Sequence, residues 1–190
     1  MLATVLLVGL LAVASATDVW RHKIYNGTTY PGIVAALGLN ALGWLLAGAG
    51  VADARTLESL GWIGVGRSVL GLAACGGVLL LCFVLFKVGG GDVKMMAMLG
   101  AFLGPEQGIE AMLWTFVLGA CAALIVLIWR VGPWRLAVGT LRHLAWMLRL
   151  GGWTPLSADQ RAQLQPPLFL APSALAAVVI VRFSLAEWLV

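Results

Sequence analysis

Two aspartates, Asp18 and Asp92, each border a long apolar run, and they are the residues best suited to do chemistry. An ionisable group at a membrane edge is costly, so it counts as a functional hypothesis by default. When two carboxylates come close they cannot both ionise cheaply, and they share a proton. The ionised partner can then take a proton from a water that attacks a peptide carbonyl. The protonated partner polarises that carbonyl and later helps protonate the leaving amine. No serine or cysteine nucleophile is required.

The neighbours of the two acids add detail. Gly89-Gly90-Gly91 precede Asp92. Glycine removes side-chain bulk and permits positive φ, so a substrate backbone could approach the carboxylate. A simple glycine linker with Asp92 as a helix N-cap accounts for the same residues. Lys94 is placed to tune Asp92 or to bind a substrate carbonyl, or to snorkel to headgroups. Asn26 can orient the loop after Asp18 through a side-chain bond. Arg21 and Lys23 read as anchors of that loop. His22 and His143 have no convergent spacing, and Cys75, Cys82 and Cys121 form no C-x-x-C pair, so neither a metal site nor a disulfide is expected. No cofactor is called for.

The elements that must position these residues follow from composition. Of the 190 residues 62% are hydrophobic and 11% are charged, against roughly 45–50% and 25% in a soluble domain. That leaves too little polar surface to cover a globule, so lipid is the natural solvent. The net charge of +4 comes from cations in short loops, where they report membrane orientation rather than nucleic-acid binding. Apolar runs fall at 1–17, 31–51, 62–88, 93–103, 109–129 and 168–190. The first has no Lys or Arg before it, so it reads as a spanning helix rather than a signal peptide. The fourth is short for a bilayer needing roughly 20 residues. The membrane portion of the last should end near Val181. The fold class expected is an all-α membrane protein of about six transmembrane helices in one domain, 1–190.

Residues 134–150 add an amphipathic interfacial helix. Arg135, Arg142 and Arg149 recur every seven residues opposite Leu141, Leu144 and Leu148, a face suited to anionic lipid headgroups. Gly151-Gly152 ends it, and 151–167 reads as a polar cytoplasmic loop with Ser157 as a cap. Orientation follows from the charges. With the N-terminus outside and six alternating spans, inner segments hold nine of the twelve cations: Arg21, Lys23, Lys87, Lys94 and the five arginines of 130–161. Outer segments hold Arg55, Arg67 and Arg182. That favours this orientation, and it puts Asp18 and Asp92 at one inner face. Without the fourth span, the basic 130–165 segment would lie outside.

A family resemblance sharpens the reading. Gly89-Gly90-Gly91-Asp92 fits the G-x-G-D motif of intramembrane aspartyl proteases, and its continuation Val93-Lys94 resembles the G-G-G-D-V-K form of prepilin peptidases. The first-aspartate element of that family, D-x5-I-P-N, resembles Asp18 to Asn26, with Ile24 and Asn26 in register. Tyr25 stands in place of the usual proline, a departure that touches turn geometry and not the acid. The resemblance covers about residues 1–130.

It implies a bacterial inner-membrane aspartyl endopeptidase with Asp18 and Asp92 catalytic. Gly89, Gly90, Gly91, Lys94 and Asn26 would bind substrate or support the acids. The substrate implied is a prepilin or pseudopilin precursor, whose short basic leader is removed on the cytoplasmic side. That leader gives Arg21 and Lys23 no part in binding it. Bifunctional relatives carry a cysteine tetrad linked to N-methylation. This chain has no such tetrad, which implies the compact form of tight-adherence (Flp) pili, cleaving without methyl transfer.

Two alternatives stand beside it. A transporter-like subunit would place charges near the bilayer midplane at broken helices, and none lies clearly there. A non-enzymatic scaffold of a pilus or secretion system would have lost one aspartate, and both are present. Cleavage of another membrane substrate, as by presenilin-type proteases, is less favoured by the basic inner edge. The sequence carries no signal of oligomeric state.

Overall fold

The computed structural model describes residues 1–86, 89–132 and 169–185, with Trp134, Val138, Gly139, Leu141 and Ala145 between them. The amphipathic helix expected over 134–150 and the loop over 151–167, with Ser157, thus lie outside the described residues apart from those positions. The protein is an all-α membrane protein. Four of its helices are long and apolar enough to cross a membrane.

Helix α1 (Leu2–Arg21) carries no charge before Asp18. It buries one stripe, Leu7, Leu11, Ala14, Ser15 and Asp18, the spacing that keeps residues on one helical face. It stops at His22, which turns left-handed (φ 51°, ψ 34°). Helix α2 (Asn26–Gly48) follows, then the short α3 (Ala54–Leu60), closed by Gly61 at φ 99°. The next long helix is α4 (Val65–Phe86).

Asn40, buried in α2, fixes the α3–α4 connection. Its Oδ1 accepts the Ile63 N–H at 3.0 Å and its carbonyl accepts the Trp62 indole N–H at 3.0 Å. The Trp62 ring occupies the space that a side chain at Gly43 would need. Backbone groups that water cannot reach must find such partners.

Helix α5 (Gly90–Val131) consists of two helical arms joined at Gly104. Gly104 breaks it at φ 81°, ψ −179°. Only glycine takes that backbone freely, and Pro105 cannot continue the ladder. A Cβ on Gly108 would lie 3.1 Å from the Gly100 Cα. A straight helix would hold residues eight apart at about 12 Å, so the chain doubles back at Gly104. The expected runs at 93–103 and 109–129 are these two arms.

The fold-back is sealed by small residues. The backbones of Gly71 on α4 and Gly100 on α5 touch, and Ser68 Oγ donates to the Ala101 carbonyl at 2.6 Å. Such stripes let helices approach where lipid offers no hydrophobic drive. Leu79, Met95, Met96, Met98 and Leu99 fill the adjoining core, with Leu7 and Leu11.

The last helix, α6 (Leu170–Arg182), has 13 residues, about 20 Å. It is shorter than the run at 168–190 and ends one residue past Val181. It packs antiparallel on α1: Arg182 Nε donates to Thr4 Oγ1 at 2.9 Å at one end, and Ala171 meets Asp18 at the other. The chain divides into two compact units, Met1–Val117 with Phe169–Val190, and Leu118–Leu168. The residues of the candidate site all belong to the first.

Candidate active site

One end of the first unit gathers the start of α2, the end of α1, the start of α5 and the start of α6. Asp18 occupies the last turn of α1 and is only 7% exposed. The stripe that buries Leu7, Leu11 and Ala14 carries it inward. Its Oδ2 accepts the Ala171 main-chain N–H at 3.2 Å. Ala171 is the second residue of α6, where N–H groups lack intrahelical partners.

Asp92 is the third residue of α5 and is half-buried. Its own N–H and that of Val93 bond the Gly89 carbonyl, at 3.1 and 3.4 Å. Asp92 therefore lies inside the first turn, three positions past the N-cap, which is Gly89 rather than Asp92. It is close enough to Asp18 to feel that residue's charge. The structure thus brings together the two acids, 74 positions apart in sequence.

The three glycines serve space rather than backbone freedom. None of Gly89, Gly90 and Gly91 has positive φ, contrary to the conformational role expected of them. A Cβ on Gly91 would sit 3.1 Å from Ile24 Cβ and 3.4 Å from its carbonyl oxygen. A Cβ on Gly89 would sit 2.8 Å from Asp92 Oδ2. Gly90 has only the Phe83 ring edge at 3.9 Å. The α1–α2 connection is thus pressed against the start of α5, which sets the distance between the two acids.

Lys94 and Asn26 meet directly. Lys94 Nζ donates to Asn26 Oδ1 at 2.8 Å and lies 4.8 Å from the centre of the Tyr30 ring. The ammonium is held by a carbonyl and an aromatic face, and it ties α5 to α2. Asn26 therefore orients Lys94 rather than the loop beside Asp18. Tyr25, the departure from the proline pattern, has φ −81° and ψ 140° at the N-cap of α2. That lies near the φ a proline ring imposes, so the turn survives the exchange. Arg21 Nη1 donates to the Tyr25 hydroxyl at 3.3 Å, which fits the anchoring role expected of it.

Sequence reasoning missed three contributors. Tyr30 was detectable, because it follows Asn26 by four residues and so shares its helical face. Phe169, stacked on His22 with ring centres 5.2 Å apart, and the Ala171 N–H carry no sequence signal. Among the described residues, no three His, Cys, Asp or Glu side chains are grouped to hold a metal ion.

Two carboxylates at one end of the helices, one buried and held by a main-chain donor, suit proton exchange with a water between them. The α1–α2 connection and the first turn of α5 form the frame around them. Compared with known families, residues 5–124 match the type IV leader peptidase family, a span that includes both aspartates and the glycine run. No similar curated protein and no similar solved structure was found.

Proposed function

Because the chain belongs to the type IV leader peptidase family, we propose that Asp18 and Asp92 are the catalytic pair of an aspartyl endopeptidase for Flp-type pilin precursors. Membership makes the protein a peptide-bond hydrolase with prepilin substrates, and its apolar helices make it a multi-pass membrane protein. The observation that carries the proposed pair is the placement of Asp18 and Asp92 at one end of the helices, near enough that the Asp18 charge bears on Asp92.

In this mechanism the pair shares one proton. The ionised carboxylate draws a proton from a water as that water attacks the scissile carbonyl. The protonated carboxyl polarises the carbonyl oxygen, and the proton then passes to the leaving amine. Gly90, open but for the Phe83 ring edge, leaves room for an extended precursor backbone near Asp92, while Gly89 and Gly91 let Asp92 and Ile24 pack close to the main chain. Lys94, steadied by Asn26, is placed to bind a carbonyl of the precursor.

The charge distribution supports a cytoplasmic active site with the N-terminus outside. Cleavage without N-methylation is supported by the cysteines. Cys75 and Cys82 lie on α4 and Cys121 on α5, so the three do not make a loop tetrad.

The test is mass spectrometry of a Flp-type precursor co-expressed with the protein. The expected product lacks the leader and has an unmethylated amino terminus. A methylated terminus overturns the single-activity reading, and an intact precursor overturns the substrate class. The glycine frame gives a second expectation in the same assay. Gly91→Val places its side chain against Ile24 and should lower cleavage about a hundredfold, since a displacement near 1 Å at the reacting groups costs that much. Gly90→Ala should cleave within about threefold of wild type, because its Cβ meets only ordinary contact. Equal activities of the two variants would contradict the frame.

A further inference from the structure

Helix α6 lies outside the matched residues 5–124, and the proposed chemistry assigns it no task. Its first turn nonetheless touches the site twice. The Ala171 N–H bonds Asp18 Oδ2 at 3.2 Å across 153 positions of sequence, and the Phe169 ring stacks on His22, four residues after Asp18. Both contacts land on the last turn of α1 and the residue that ends it. Within a helix terminus the N–H groups of the first turn lack backbone partners. Pro172, the next residue of α6, has no N–H to give. Ala171 is therefore one of few main-chain donors that this turn offers.

The other end of the α1–α6 pair is pinned as well, by Arg182 on Thr4 and on Gln107 Oε1 at 3.5 Å. Between the pins, Ala171, Ala174, Ala177 and Val178 bury a small-residue face in the core. The first turn of α6 is thus held from both directions and cannot slide along α1 without losing a pin.

We propose that the first turn of α6 is a clamp that positions the Asp18 carboxylate for catalysis, with the Ala171 main-chain N–H as the orienting donor and the Phe169–His22 stack as its brace. This rests on the two-aspartate reading and deepens it. One carboxylate oxygen is engaged by a fixed donor, so the rotation of the group is set. The other oxygen is then held for the shared proton and the water. Ala171 is a positioning residue, because it acts only through Asp18.

The test compares purified full-length variants in lipid vesicles with a Flp-type precursor, measuring kcat and KM separately. Ala171→Pro deletes the donor while keeping a residue that first helical turns tolerate. Ala171→Gly keeps the donor. The clamp predicts that Ala171→Pro lowers kcat at least tenfold with KM within twofold of wild type, while Ala171→Gly keeps wild-type kcat. Wild-type kcat in Ala171→Pro overturns it, and so does an equal fall in Ala171→Gly.

If Ala171→Pro does not yield folded protein, the brace decides. Phe169→Ala should lower kcat severalfold and Phe169→Tyr should restore it. No difference between those two overturns the clamp. Asp18→Ala is measured alongside. Full activity there sinks the two-aspartate reading itself, whereas an inactive Asp18→Ala beside an unaffected Ala171→Pro sinks only the clamp.

Discussion

Asp18→Ala and Asp92→Ala each bring leader removal down at least a thousandfold and leave a folded protein in the membrane. The size of the loss follows from the roles. General acid–base catalysis contributes about 10²–10⁴-fold, and each carboxylate serves in both halves of the reaction. Neither substitution should unfold the protein. Asp18→Ala strands one buried N–H, that of Ala171, at a cost of about 1–3 kcal/mol against a typical stability of about 5–15 kcal/mol. Asp92 is half-buried in a first helical turn that Gly89 already caps through its carbonyl, so alanine there costs less. The check is precursor processing by immunoblot, with membrane content of each variant as control. Substantial cleavage by either variant would contradict the paired-acid chemistry.

The second large effect falls on the fold. Gly100→Leu should abolish recovery of properly assembled protein. Its Cβ would collide with the Gly71 carbonyl oxygen and lie 2.9 Å from Cys75 Cβ. The first obstacle is backbone, so no rotamer change relieves it. Overpacking ordinarily costs about 1–3 kcal/mol. Here two helices must separate, which also breaks the Ser68–Ala101 bond, so the cost should exceed about 4 kcal/mol. Gly77→Leu, on α4 with open space at its Cβ, is the matched control. Size-exclusion chromatography of extracted protein should give a single peak for Gly77→Leu and aggregate for Gly100→Leu. Indistinguishable profiles would mean that the seam between α4 and α5 is not as tight as the glycines require.

Much of this molecule is legible in the sequence because lipid is a demanding solvent. A helix in a membrane must be apolar along its length, so α1, α2, α4 and the arms of α5 stand out as apolar runs. For the same reason Asp18 and Asp92 are conspicuous at the ends of such runs. The glycines preceding Asp92 were visible too, but not their use. Sequence cannot separate a glycine needed for positive φ from one needed for close approach, and Gly91 is the latter, set by Ile24.

What sequence could not show depends on partners far along the chain. Asn40 gives no sign that it will accept the Ile63 N–H, because that bond exists only once α3 and α4 have turned back on α2. Ala171 is an unremarkable residue in an apolar run, and its value lies in a main-chain N–H. Gly104 and Pro105 were readable as a gap between two runs, but the reversal there shows only in the approach of Gly108 to Gly100.

The most direct test of the central claim uses the isosteric pair Asp18→Asn and Asp92→Asn. Asparagine keeps the shape of each side chain, and at position 18 its amide oxygen can still accept the Ala171 N–H, so only the acid is removed. Purified wild type and both variants are reconstituted in lipid vesicles, and leader removal from a Flp-type precursor is followed over time. The account predicts rapid conversion by the wild type and none above background by either variant. Conversion by Asp18→Asn or Asp92→Asn at a rate near that of the wild type would contradict it.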